Sequence, residues 1–183
     1  IDGEDAKDFD DAVCATPRGK NGWTLWVAIA DVAHYVTDNS PLDQTAIERG
    51  TSVYFPSEVI PMLPETLSNG LCSLNPHVDR LALAVCLEIA STGRVTKYRF
   101  HEVIFQSQQR LTYNQVQDAL DAVSADHHSP EALATAIQKT ERFSSNAVAQ
   151  NVADLYSLYQ VLRSAREDRG ALDFDSVEPK FSF

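Results

Sequence analysis

Apolar residues form two short runs near the start of the chain, at residues 11–15 and 23–30. The segment between them is rich in Pro, Gly and Asn, which mark turns. This pattern predicts a β-hairpin. Because residues 23–30 are apolar on both faces, we expect them to form a central strand that is covered on both sides of the sheet.

An apolar run at residues 81–90 is followed by a Ser-Thr-Gly turn and by residues 94–105, which alternate in character. This pattern predicts a second hairpin. Further along, apolar residues recur at steps of three or four, which predicts a long helix whose apolar face packs on the sheet. The residues of that apolar stripe are Val148, Val152, Leu155, Tyr159 and Leu162. We expect Gly170 just beyond the end of this helix.

Two shorter helices are predicted from their start signals. Ser40 precedes Pro41 and an early acid, which is typical of a helix start. Thr112 and Gln115 match a capping box. The proline-rich residues 56–76 predict a long loop with little regular structure, of a kind that is usually functional. We therefore predict an α+β fold, in which a mixed, largely antiparallel sheet built from hairpins packs with helices, including one long C-terminal helix.

The composition is that of a globular protein. The chain has 183 residues, of which 44% are hydrophobic, and this length suits one domain over residues 1–183. No apolar run approaches the ~18 residues that a membrane span requires. The chain holds three cysteines, an odd number without a C-x-x-C motif. We expect them to be reduced, buried thiols in a cytoplasmic protein.

The formal net charge of −11 is unusual for a nucleic-acid-binding protein, which normally carries a basic surface. The charge is uneven, with −9 in residues 1–90 and −2 in residues 91–183. The acidity is therefore concentrated in the half that begins with six acids among eleven residues.

Those eleven residues carry about −5 in all, with Lys7 as the only basic residue among them. Like charges held close together repel, and a divalent cation removes that cost. Carboxylate oxygens are the ligands that Mg²⁺ and Mn²⁺ favour. We therefore predict a metal site formed by Asp2, Asp8, Asp10 and Asp11. The alternatives are a solvated acidic turn and a calcium loop, and the second lacks the EF-hand pattern.

Two polar residues follow the predicted strand at residues 23–30, namely Asp31 and His34. Either residue could support the predicted metal site by holding a metal ligand in place, without binding the metal itself. For His34 we favour ordinary hydrogen bonding at the strand end. For Asp31 the two interpretations stay open.

The acidic segment also belongs to a series of motifs that resembles a known family. The series is IDGEDAKDFDDAV (1–13), WVAIADV (26–32), RGTSVYFP (49–56), MLP (62–64), LSNGLCSLNP (67–76), DR (79–80) and GALDF (170–174). In this order the motifs resemble the RNB catalytic domain of the ribonuclease II and ribonuclease R family, in particular its bacterial ribonuclease R branch. The resemblance covers essentially the whole chain, as the N-terminal part of such a domain.

The resemblance implies a 3′-to-5′ exoribonuclease that hydrolyses single-stranded RNA to nucleoside 5′-monophosphates with Mg²⁺, or with Mn²⁺ as a substitute. Asp2, Asp8 and Asp11 would act mainly as metal ligands, and Asp10 would bind metal or orient the attacking water. The family also implies flanking cold-shock-like and S1-like domains, and a catalytic arginine and glutamate downstream of Phe183.

Two aromatic residues match positions that the family uses to stack on the last nucleotides of RNA. They are Tyr54, at the start of the proline-rich loop, and Phe174, just past the predicted long helix. Stacking holds a single strand without reading its sequence, because every base has a π-face. The alternative for each is an ordinary core aromatic.

Two other functions remain open from the residues. One is a catalytically silent RNA-binding or interaction fragment that lacks the downstream catalytic residues. The other is a different carboxylate-metal phosphoesterase, such as a phosphatase. Degradation of a labelled RNA, compared with turnover of a generic phosphate ester, distinguishes these functions.

Overall fold

The structure is a computed structural model that describes residues 1–55, 58–123 and 130–171. Its main sheet has four antiparallel strands in the order β1-β2-β5-β6. These strands are β1 (Asp11–Pro17), β2 (Trp23–Ala30), β5 (Asp79–Ile89) and β6 (Val95–Gln106). Both predicted hairpins are confirmed, since β1 pairs with β2 and β5 pairs with β6.

Strand β2 is central, as predicted, but it is not covered on both faces. On one face, the small residues Ala28, Ala82 and Ala84 are buried together. On the other face, Ile29 pairs with Leu83, and these side chains are 48% and 50% exposed. The prediction that β2 is covered on both faces was therefore wrong. Among the described residues, no element packs over Ile29 and Leu83.

The helices are α1 (Pro41–Arg49), α2 (Tyr113–Asp121), α3 (Pro130–Gln138) and α4 (Asn146–Asp168). Ser40 caps α1 by accepting a hydrogen bond from the Asp43 N–H group, and Thr112 and Gln115 form the predicted capping box of α2. Gly170 has φ +77° just past α4, a left-handed conformation that favours glycine. The predicted α+β fold with a long C-terminal helix is confirmed.

Helix α4 joins the sheet to the smaller helices. Its C-terminal half packs Leu158 against Ala15, Trp23 and Ile89 of the sheet. Full burial of such a leucine stabilises the fold by about 1.5–3 kcal/mol. Its N-terminal half forms a second cluster with α2 and α3, whose most buried members are Ala119, Ile137, Ala149 and Ala153. Among the described residues, no helix has the length and apolar character needed to cross a membrane.

The stretch between α1 and β5 has more regular structure than predicted. The β-branched and aromatic residues 51–55 predict a short strand, which is confirmed as β3 (Val53–Tyr54). Strand β4 (Val59–Ile60), which pairs with it, and a π-helical turn at Thr66–Leu71 were not predicted. The chain then enters the core, where Cys72 and Leu74 pack beside Phe9. This packing brings the middle of the chain against the acidic N-terminal segment.

Candidate active site

The acidic segment, residues 1–11, lies along the end of the main sheet. Its last part is fixed by the sheet, because the Ala30 N–H group donates to the Asp10 carbonyl over 2.9 Å and β1 begins at Asp11. Its first part is fixed by the start of α2. There the Asp2 N–H group donates to the Leu111 carbonyl, and the Tyr113 N–H group donates to the Asp2 carbonyl, both over 3.1 Å.

The middle of the acidic segment is anchored by Phe9, whose ring is buried. The Phe9 N–H group donates to the Ser73 hydroxyl over 3.0 Å, and the Leu74 N–H group donates to the Phe9 carbonyl over 2.8 Å. The Arg110 guanidinium lies over the Phe9 ring, 4.5 Å from its centroid. An apolar residue among six acids thus fixes the segment to the core.

The four predicted aspartates lie close enough to act on one another. The pKa of the Asp10 carboxyl is raised, first by burial and then by the neighbouring charges of Asp8, Asp11 and Asp2. Burial and like charge both disfavour the ionised form, so the metal-free segment stores electrostatic repulsion around Asp10. The Asp2 carboxylate accepts a hydrogen bond from the Gly3 N–H group at 2.8 Å.

Three residues from the middle of the chain, Cys72, Ser73 and Arg80, also border this site. Our sequence reasoning gave none of them a role. The pKa of the buried Cys72 thiol is raised by burial and by Asp10, lowered by Arg80, and raised further by Asp31. Cys72 therefore lies within the electrostatic reach of both Asp10 and Asp31. Ser73 bonds directly to the acidic segment. The only sequence signal for these residues was their place in the motifs at 67–76 and 79–80.

Asp31 lies at the end of β2, as the pattern predicted, and its carboxylate accepts a hydrogen bond from the His34 N–H group at 3.2 Å. This is the ordinary strand-end bonding that we favoured for His34. Asp31 makes that bond, and its charge also raises the pKa of the Cys72 thiol, as the charge of Asp10 does.

The donor set of the acidic segment suits a hard divalent cation, because it offers only carboxylate and carbonyl oxygens. Within the described residues, no group of three His, Cys, Asp or Glu side chains is spaced to hold an ion. Mg²⁺ sites commonly use one or two carboxylates, with substrate phosphate and water as the other ligands. The crowded carboxylates around Asp10 fit a site of that open kind.

A cavity of about 610 Å³ lies beside the acidic segment. Its wall includes Asp11 from that segment, Trp26 and Phe105 from the sheet, and Val148 and Asn151 from α4. Most of this wall is apolar, and its polar side chains, which include Arg110 and Asn151, are a minority of the lining.

The predicted RNA-stacking residues are placed differently. Tyr54 lies in the β3–β4 hairpin and is 67% exposed, next to the exposed Phe55. No described contact joins Tyr54 to the acidic segment. Phe174 lies outside the described residues, so its predicted place beside the site stays a prediction.

Comparison with known proteins identifies the family. A family model described as the RNB domain matches residues 1–183, the whole chain. This chain belongs to the RNB domain family. Ribonuclease R of Escherichia coli (strain K12) is 50% identical over 183 residues, which are 100% of this chain and 21% of that protein. Ribonuclease R of Vibrio cholerae is 48% identical over 183 residues, again 100% of this chain and 20% of that protein.

A solved structure shows the same RNB fold. The structure of Mycoplasma genitalium RNase R in complex with ribose methylated single-stranded RNA matches with a TM-score of 0.81 and 31% sequence identity. The match covers 97% of this chain and 25% of that one. The RNB chain described here thus spans about one fifth of the length of the curated relatives it matches.

Proposed function

We propose that this chain carries the metal-binding part of a 3′-to-5′ exoribonuclease that hydrolyses single-stranded RNA to nucleoside 5′-monophosphates. The observation that carries the proposal is the convergence of Asp2, Asp8 and Asp11 on Asp10, whose pKa they raise. Such a cluster of repelling carboxylates is costly without a cation and well suited to one.

The relatives support the same proposal. Two curated relatives that match the whole chain at about half identity are ribonuclease R, and the related RNase R structure contains single-stranded RNA. Because the chain matches only about a fifth of each relative, we infer that the matching part of those relatives is the RNB domain. The remaining four fifths of those relatives lie outside the match, so we propose flanking cold-shock-like and S1-like domains as further RNA-binding parts of the full-length protein.

We assign the roles within the site as follows. A divalent cation, Mg²⁺ or Mn²⁺, would lower the pKa of a bound water and neutralise charge on the scissile phosphate. Asp2, Asp8 and Asp11 would hold the cation, and Asp10 would hold it or orient the attacking water. The backbone on both sides of Asp8 is held by the Ser73 hydroxyl, which bonds to the Phe9 N–H group and the Lys7 carbonyl.

Tyr54 and Phe174 stack on the last bases of the RNA. The exposure of Tyr54 supports this role, because an exposed ring on a short hairpin is free to receive a base. We propose a cytoplasmic location. Cys14, Cys72 and Cys86 are free thiols, in keeping with a reducing compartment. Cys72 is buried as expected, whereas the expected burial was wrong for Cys14, which is exposed, and for Cys86, which is partly buried.

A second function has an observation in its favour. The described residues lack a closed group of three metal-ligating side chains, and the chain spans only about a fifth of its curated relatives. A catalytically silent RNA-binding part fits both facts. With a net charge of −11, the 183 residues alone should bind RNA weakly and with steep salt dependence, and should hydrolyse it poorly.

The test is digestion of a 5′-labelled single-stranded RNA by the full-length protein, in Mg²⁺, in Mn²⁺ and in excess chelator. The proposal predicts stepwise shortening of the labelled strand and release of nucleoside 5′-monophosphates with either metal, and no reaction in chelator. RNA binding without shortening in either metal would favour the silent function. Faster turnover of a generic phosphate ester than of RNA would favour a phosphatase.

A further inference from the structure

Ser73 bonds to the acidic segment on both sides of Asp8. Its hydroxyl accepts a hydrogen bond from the Phe9 N–H group at 3.0 Å and donates to the Lys7 carbonyl at 3.1 Å. Leu74, the next residue, donates its N–H group to the Phe9 carbonyl over 2.8 Å. Ser73 is fully buried, with 0% of its surface exposed, so water does not compete for these bonds.

Arg80 in turn holds Ser73. Its Nε donates to the Ser73 carbonyl over 2.8 Å, and its Nη2 donates to the Gly70 carbonyl over 3.1 Å. Arg80 belongs to β5, whose backbone pairs with β2, and the last residue of β2 donates to the Asp10 carbonyl. The bonds therefore run from the main sheet through Arg80 and Ser73 to the segment that carries Asp8 and Asp10.

This arrangement has a specific physical consequence. Asp8 lies between the two backbone groups that Ser73 holds, and Asp10 follows directly after Phe9. The segment carries six acids among eleven residues, and like charges held close together repel, so an unrestrained backbone would relax by moving the carboxylates apart. Removing the Ser73 hydroxyl would also leave the Phe9 N–H group without its partner in a buried place.

We propose that Ser73 is a positioning residue for the divalent cation, and that Arg80 keeps Ser73 in place. Ser73 itself binds no metal. It fixes the backbone at residues 7–9 so that Asp8 and Asp10 face the same ion. This inference rests on the proposed function, because it assumes that these two aspartates bind a cation.

A purely structural serine would behave differently. Its loss would lower the melting temperature without changing the affinity of the folded protein for metal. Loss of a positioning group typically weakens metal affinity or activity by about 10- to 100-fold. The deciding readout is therefore metal affinity measured directly, beside the melting temperature of the metal-free protein.

The experiment measures Mn²⁺ binding to the full-length protein by electron paramagnetic resonance, for the wild type, Ser73→Ala and the control Ser40→Ala. Ser40 loses the same hydroxyl from the same kind of bond, since it accepts from the Asp43 N–H group over 3.2 Å at the start of α1. A second variant, Arg80→Lys, keeps the positive charge and loses the bonds from Nε and Nη2. It tests the proposal if Ser73→Ala does not fold.

We expect the Mn²⁺ dissociation constant to rise about 10- to 100-fold in Ser73→Ala, to rise less in Arg80→Lys, and to stay at the wild-type value in Ser40→Ala. The Mg²⁺ concentration for half-maximal RNA hydrolysis should rise in parallel. Wild-type Mn²⁺ affinity in folded Ser73→Ala, or in Arg80→Lys where Ser73→Ala is unfolded, would overturn the positioning role and leave the proposed function intact. Absence of Mn²⁺ binding in the wild type would overturn both.

Discussion

The Arg110 guanidinium carbon lies 4.5 Å from the centre of the Phe9 ring. Arg110 therefore places a positive charge over the buried aromatic ring of the acidic segment. The same guanidinium donates from Nη2 to the Glu4 carbonyl over 2.8 Å. Arg110 therefore holds the acidic segment at two points and places a positive charge beside it. Both contacts favour a segment that would otherwise repel itself.

Replacing this arginine should loosen the segment. We expect Arg110→Ala to lower the free energy of unfolding by about 0.5–2 kcal/mol, through loss of the contact with the Phe9 ring. Arg110→Lys, which keeps a cation, should lose less. Urea unfolding of both variants measures the difference, and equal stability of Arg110→Ala and the wild type would contradict the role of this contact.

The electrostatic repulsion around Asp10 predicts that removing the charge of its side chain stabilises the fold in the absence of metal. The pKa of Asp10 is raised in the folded protein, so the ionised carboxylate at neutral pH destabilises the fold in the absence of metal. Asp10→Asn should therefore raise the melting temperature in excess chelator. Asp5→Asn removes an exposed acid from the same segment and is the matched control. A lower melting temperature for Asp10→Asn than for Asp5→Asn would argue against the stored repulsion.

A buried acid far from the candidate site predicts a pH dependence of stability. Asp154 of α4 is 5% exposed, and its carboxylate accepts a hydrogen bond from Gln150 Nε2 over 3.0 Å. Burial raises the pKa of Asp154, the Gln150 bond lowers it in part, and Glu131 raises it further. The folded state thus holds this proton more tightly than the unfolded state.

Stability from this group is consequently lost as the pH rises through the unfolded pKa and then the folded pKa, and the loss is complete above the latter. Asp154→Asn keeps an oxygen for Gln150 and removes the charge. We expect it to raise the free energy of unfolding at pH 7 and to flatten the fall of that free energy as the pH rises above the ordinary pKa of an aspartate. Asp168→Asn, at the exposed end of the same helix, should leave that dependence unchanged. Matching pH profiles for Asp154→Asn and the wild type would be the contrary result.

The proposed stacking of Tyr54 on the last bases of the RNA, here called the RNA clamp, predicts that its loss changes the product length without changing stability. Tyr54 is 67% exposed, so Tyr54→Ala should leave the melting temperature unchanged, whereas loss of a core ring would cost about 3–5 kcal/mol. Stacking is worth about 1–3 kcal/mol per base, so the variant should release short RNAs earlier and leave longer end products. Tyr159 was predicted to pack on the sheet as part of the apolar stripe of α4, but it is 52% exposed. Tyr159→Ala therefore removes an exposed tyrosine and should leave the end products as in the wild type. Unaltered end products for Tyr54→Ala, with a sharp fall in melting temperature, would exclude the clamp.

Local patterns were sufficient to predict much of this fold. The two hairpins, the capped starts of α1 and α2, and the helix that ends before Gly170 each depend on residues close together in the sequence. The charges of Asp8, Asp11 and Asp2 reach Asp10, as expected for acids within one short segment. A metal site formed by these four aspartates remains a prediction.

The features that sequence reasoning missed depend on distant contacts. The bond between Phe9 and Ser73 joins residues that are 64 positions apart, and no local pattern indicates it. The π-helical turn at Thr66–Leu71 occupies a proline-rich stretch that we expected to be irregular. The exposure of Ile29 likewise depends on which elements pack over a strand, whereas its apolar sequence shows only that packing is favourable there.

The central claim is that Asp10 belongs to a metal-dependent RNA-hydrolysing site. The most direct test is the single-turnover rate at which the full-length protein shortens a 5′-labelled single-stranded RNA in Mg²⁺, compared between Asp10→Asn and Asp5→Asn. Our account predicts that Asp10→Asn slows hydrolysis by about 10²-fold or more and still binds RNA, and that Asp5→Asn retains the wild-type rate. Wild-type turnover by Asp10→Asn, or an equal loss in both variants, would contradict it.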